Sequence, residues 1–79
     1  MKVLLFSILK ERVGSREISI DVSQETTVRE LLSDICEESP AIAEFLPAIR
    51  VAVNQAYVPS DAIVRPGDEV ALITPVSGG

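Results

Sequence analysis

Residues 27–40 read TVRELLSDICEESP, and the fold turns on how they are read. Thr27 is a natural N-cap, because its hydroxyl can accept the amide proton of the third helical residue. Glu30 completes the capping box with it. Val28, Leu31, Leu32, Ile35 and Cys36 then recur at i, i+3, i+4, i+7 and i+8, one apolar stripe at the helical period. Pro40 disfavours helical backbone in the residue before it, so the helix ends at or before Ser39. A single stripe is buried against a single layer. The chain therefore needs a sheet beside this helix, and the flanking segments must supply its strands.

Upstream, residues 2–7 predict a strand with Val3 and Leu5 on one face and Leu4 and Phe6 on the other. Both faces are apolar. Residues 8–14, ILKERVG, predict a short helical turn stopped by Gly14. In residues 16–22, Ile18, Ile20 and Val22 alternate with Glu17, Ser19 and Asp21, which predicts a half-exposed strand, the hairpin partner of the first. Downstream, residues 40–48 carry two prolines and predict a loop or a broken turn. Residues 49–53 predict a strand, Asn54 and Gln55 a tight turn, and Tyr57 and Val58 a short returning strand. Residues 65–70, RPGDEV, predict a turn in which Pro66 presets φ and Gly67 can take a positive φ. In the last strand, residues 69–74, Val70 and Leu72 share one face and Ala71 and Ile73 the other.

The order is β-β-α-β-(short β)-β. An α+β chain with a mixed sheet of about five strands and one main helix on one face has the ubiquitin-like β-grasp pattern. Its first and last strands are expected side by side and parallel in the centre. Residues 1–75 are expected to form this domain, with residues 76–79 as a tail.

Composition removes several classes of function. At 79 residues one domain is the sensible count. One cysteine and no histidine rule out a zinc quartet and any histidine-dependent triad. No metal and no bound cofactor are expected. The net charge is −5 and no Lys/Arg cluster exists, so nucleic acid is not an expected partner. No run approaches the roughly 20 apolar residues of a membrane span. The opening MKVLLFSILK meets Lys10, Glu11 and Arg12 too early for a signal peptide. With a lone thiol, this places the expected location in the cytoplasm. Glu37–Glu38 and Asp68–Glu69 read as solvated surface. Cys36, on the helix stripe, reads as a small buried hydrophobe rather than a sulfur carrier.

The sequence closes on TPVSGG, residues 74–79. The carboxylate is expected to belong to Gly79, and Gly78 and Gly79 leave the backbone there without Cβ atoms. Val76, Ser77, Gly78 and Gly79 span at most roughly 13–14 Å when extended. A narrow channel could admit them, while the strand before them anchors their root. Ordering four residues costs about 1–2 kcal/mol each, so the folded body must bind as well. Leu4, Phe6 and Ile73, on the sheet face opposite the helix and joined by Tyr57, are the expected docking residues. If residues 40–48 crossed this face, it would be unavailable.

The segments KVLLFSILKERVG (2–14), VNQAYV (53–58) and PGDEVALITPVSGG (66–79) together resemble the small-subunit family of molybdopterin synthase, which are ubiquitin-like β-grasp sulfur carriers. The resemblance is weakest over residues 37–48. Thr74 stands where the family often has the first of two prolines, and Pro66–Gly67 where it often has Asp-Gly.

The resemblance implies that an E1-like adenylating enzyme uses ATP to activate the Gly79 carboxylate. A sulfur donor then leaves a thiocarboxylate there. It implies a large synthase subunit as partner, in a heterotetramer of two small and two large subunits. Sulfur is delivered to cyclic pyranopterin monophosphate to build the molybdopterin dithiolene. By itself the chain is not expected to turn over substrate. A thiamine-pathway carrier, a tRNA-thiolation carrier, a ubiquitin-like protein modifier and a plain binding module stay open as alternatives.

Overall fold

In the computed structural model, which describes residues 1–74, the stripe of residues 28–36 is carried by helix α2 (Val28–Glu38). The Glu30 amide donates to Thr27 Oγ1 at 3.2 Å, so Thr27 is the N-cap. The capping box is closed differently from the expectation. The Glu30 carboxylate accepts from the Thr26 hydroxyl at 2.9 Å, one residue earlier. The first two amides of the helix donate to a distant loop, Val28 to the Ala62 carbonyl at 3.0 Å and Arg29 to the Ser60 carbonyl at 2.9 Å. Three of the four donors that a helix start leaves open are thus met within the chain. Val28, Leu31 and Ile35 are buried, each contributing about 1.5–3 kcal/mol of apolar transfer.

Five strands form the main sheet: β1 (Lys2–Leu5), β2 (Glu17–Ser19), β4 (Arg50–Val53), β5 (Ala56–Val58) and β7 (Val70–Ile73). Their order is β2-β1-β7-β4-β5, with β1 and β7 parallel at the centre and every other pair antiparallel. This is the expected β-grasp arrangement. Val3, Leu5, Val51, Val70 and Leu72 face α2 and are buried with it.

Several elements differ from the sequence expectation, each for a local reason. β1 stops at Leu5; Phe6 is still extended, at φ −128° and ψ 158°, and serves as N-cap of helix α1 (Ser7–Val13). That helix is two turns rather than one, because Leu9 anchors it fully in the core. Gly14 ends it in the left-handed region, φ 83°, and its amide returns to the Lys10 carbonyl at 2.9 Å. Residues 40–48 hold helix α3 (Pro40–Ala43), started by its proline, and a 3-10 turn at Leu46–Ala48. Ile42 of α3 is fully buried beneath α2, which draws the whole segment to the helix side of the sheet.

A second ladder pairs β3 (Thr26–Thr27) with β6 (Ile63–Val64), a feature that no sequence period marks. Gly67 corrects another expectation. The turn closed by the Asp68 amide donating to the Arg65 carbonyl at 2.9 Å is made without positive φ at Gly67, since Pro66–Gly67 fits a type I turn. No helix among the described residues is long and apolar enough to cross a membrane.

Candidate functional site

The register of the sheet builds a site on the face that α2 leaves open. Leu4 pairs with Ala71, Ala71 with Ala52, and Ala52 with Tyr57. Directly paired residues point to the same face of a sheet. The row therefore runs large, small, small, large across four strands. Two alanines form a floor, with Leu4 and Tyr57 as walls. One step along the strands, Phe6 and Ile73 close one end, while Gln55 and Glu69 close the other. These eight residues line a single concavity of about 340 Å³.

All four docking residues expected from sequence, Leu4, Phe6, Tyr57 and Ile73, line this trough. Phe6 is 46% and Tyr57 66% exposed, so a large part of their apolar surface faces outward. Residues 40–48 contribute nothing to the lining, for Ile42 holds them on the opposite side. Sequence reading overlooked Ala52, Ala71, Gln55 and Glu69. The strand phase already placed Ala71 beside Ile73, but an alanine reads as filler until its row is known.

A polar brace fixes the acidic end. Asn54 and Gln55 take φ of 51° and 72°, the two positive values that a type I′ hairpin turn requires. The Asn54 amide donates to the Glu69 carbonyl at 2.8 Å, and Asn54 Oδ1 accepts from the Glu69 amide at 3.0 Å. Asn54 Nδ2 also donates to Asp68 Oδ1 at 3.2 Å, and Asp68 Oδ2 accepts the Arg65 amide at 2.8 Å. The β4–β5 hairpin is thereby tied to the start of β7.

The Arg65 amide, then the Asn54 side chain, hold the Asp68 carboxyl below its ordinary value. A carboxyl lowered in the folded state contributes stability above its unfolded value and loses it as pH falls through the folded one. Asp68→Asn should therefore melt at lower temperature than the parent at neutral pH. The gap should close as pH drops below the ordinary aspartate range. A gap independent of pH in thermal melts would show that the Asp68 charge is immaterial.

Elsewhere the chemistry is sparse. Cys36 is half-buried rather than buried, and desolvation pushes its thiol up, away from the reactive thiolate. Glu37 and Glu38 are exposed. Among the described residues no cluster of Cys, Asp and Glu could hold a metal ion. Gly79, with Val76, Ser77 and Gly78, lies outside the described residues.

A mixed five-stranded sheet with parallel central strands and its main helix on one face is the ubiquitin-like β-grasp class. The chain belongs to the ThiS family, whose model matches residues 3–79. It is similar to the molybdopterin synthase sulfur carrier subunit of Dictyostelium discoideum, at 38% identity over 99% of this chain and 94% of the relative. The human protein of that name is 37% identical over 100% of this chain and 93% of its own length. Among solved structures, SAMP1 from Haloferax volcanii superposes with a TM-score of 0.87 at 31% identity, covering 99% of this chain and 97% of the other.

Proposed function

We propose that this chain is the sulfur carrier subunit of a molybdopterin synthase and that the Gly79 carboxylate is its working group. The observation that carries the reading is the similarity, at 37–38% identity over 99–100% of this chain, to carriers of that name in two distant eukaryotes. The open apolar trough beside the root of the tail supports it, because a carrier must be held by its body while its terminus is used.

A carboxylate resists attack because it is anionic and lacks a leaving group. An E1-like enzyme joins it to AMP from ATP, releasing pyrophosphate. A sulfide-level donor then attacks the acyl carbon, and AMP departs with the C–O bond. The thiocarboxylate that remains is a soft sulfur nucleophile carried on the protein terminus. In the large subunit its sulfur is passed to cyclic pyranopterin monophosphate, and water restores the carboxylate. Two such deliveries complete one dithiolene, and no cofactor bound by this chain is required. The trough residues Leu4, Phe6, Tyr57 and Ile73 dock the large subunit, and residues 76–79 enter it.

The test is intact mass after incubation with ATP, the adenylating enzyme and a sulfur donor. Exchange of one oxygen for sulfur adds about 16 Da at the terminus. An unchanged mass under conditions that charge a known carrier overturns the reading. A second reading, a ubiquitin-like modifier, is favoured by the likeness to SAMP1, whose full name includes the word modifier. It requires an isopeptide ladder on target proteins, which a carrier does not produce.

A further inference from the structure

We propose that the trough is a keyed socket: its Ala52–Ala71 floor receives one bulky apolar side chain of the large subunit, and Glu69 takes a cation of that same partner. The proposal rests on the docking reading above and adds what the partner must present.

Shape supplies the first half. Four side chains in register run Leu4, Ala71, Ala52, Tyr57, so a hollow two strands wide is sunk between two tall walls. Strands lie about 4.8 Å apart, so two alanines leave room for one leucine-, methionine- or phenylalanine-sized knob. Ala52 is 7% exposed despite facing away from the helix, which places it at the bottom of the hollow. A flat partner surface would leave this floor empty and lose its dispersion contacts.

Charge supplies the second half. Glu69 lines one end, and among the described residues it makes no ion pair. Lys2, which lines the neighbouring depression with Glu69, has its ammonium on Glu17 at 3.5 Å. The Glu69 backbone is clamped by Asn54, which fixes the point on the rim from which its side chain leaves. Arg50, the register partner of Ile73, lines a separate depression with Val28 and Pro59, so among the described residues no cation lines the trough. Residues 69 and 73 are about 13 Å apart along β7, more than a Debye length at physiological salt. The Glu69 end therefore carries its charge apart from the apolar end at Ile73. An apolar face alone would accept a partner in either direction along the strands. The acidic end selects one, with the tail root of β7 at the far end.

The experiment is calorimetric titration of the full chain with the large subunit, using three variants. Ala71→Leu fills the floor from the half-exposed outer face and is expected to weaken binding by about 30-fold or more, since a filled pocket clashes with its knob. Ala71→Ser, of similar volume, should stay within about threefold. Glu69→Lys should weaken binding by about tenfold at low salt and less at high salt.

Phe6→Asp separates the two levels of the proposal. If Phe6→Asp abolishes binding while Ala71→Leu binds like the parent, the socket is overturned and the docking face stands. If Phe6→Asp also binds like the parent, the docking reading itself fails. Should Ala71→Leu not fold, Glu69→Lys on the exposed rim decides: parent-like, salt-independent affinity overturns the keyed orientation.

Discussion

A variant with one alanine appended after Gly79 is expected to lose sulfur delivery completely while folding as the parent does. The added residue moves the carboxylate by about 3.3–3.6 Å along an extended tail. A misplacement of about 1 Å at a reacting centre can cost 10²-fold, so a shift three times larger removes adenylation and transfer alike. The new terminus also carries a Cβ into a passage suited to glycine. Folding is unaffected because the core is closed upstream, with β7 ending at Ile73 and its buried residues Val70 and Leu72 already in place. Two readouts check this: the mass gain on charging and the rate of dithiolene formation with the large subunit. Intact mass must first establish that no protease has trimmed the alanine. An untrimmed extended chain that delivers sulfur at the parent rate sinks the proposal that the Gly79 carboxylate is the working group.

Much of the fold is legible because its decisive signals are local. Thr27 announces α2, and five residues at helical spacing declare which side of it is apolar. Val70 and Leu72, alternating with Ala71 and Ile73, already assign the two faces of the central strand. The losses follow from the same physics. β3 and β6 are two residues each, too short to show a period, and each exists only because the other lies beside it. Ile42 sits between prolines, where nothing local reveals that it drops into the core. Gly67 offers a freedom that its turn does not use. The trough shows the boundary most clearly. Leu4, Phe6 and Ile73 were readable from strand phase, but the floor was not. Ala52 and Ala71 acquire meaning only through a register linking β1, β7, β4 and β5. The acidic end depends on Asn54 reaching across to Asp68 and Glu69, a contact between segments fourteen and fifteen residues apart.

Phe6→Asp is expected to reduce affinity for the large subunit by 10²-fold or more without lowering thermal stability, and the two outcomes have separate causes. Phe6 is 46% exposed, so docking can bury only about half of its surface, worth about 1 kcal/mol of the 1.5–3 kcal/mol for a whole side chain. The carboxylate adds the larger share, because a charge placed beside Leu4 and Ile73 loses its water when the partner covers it, at a cost of several kcal/mol. At 1.4 kcal/mol per decade, a sum of about 3–4 kcal/mol is a loss of 10²- to 10³-fold. Stability does not follow. Phe6 is the N-cap of α1 and makes no side-chain capping bond there. Aspartate is among the best residues for that position, while phenylalanine offers no acceptor. Phe6 is also outside the buried core, so the melting temperature should hold, which frees the binding result from the usual suspicion of misfolding. Calorimetric titration gives the affinity and a thermal melt gives the stability. Parent-like affinity in a normally folded variant would remove the outer sheet face as the docking site. A depressed melting temperature would instead show that the aromatic ring contributes to the monomer, and Phe6→Ser, another capping residue, would then measure docking without the charge.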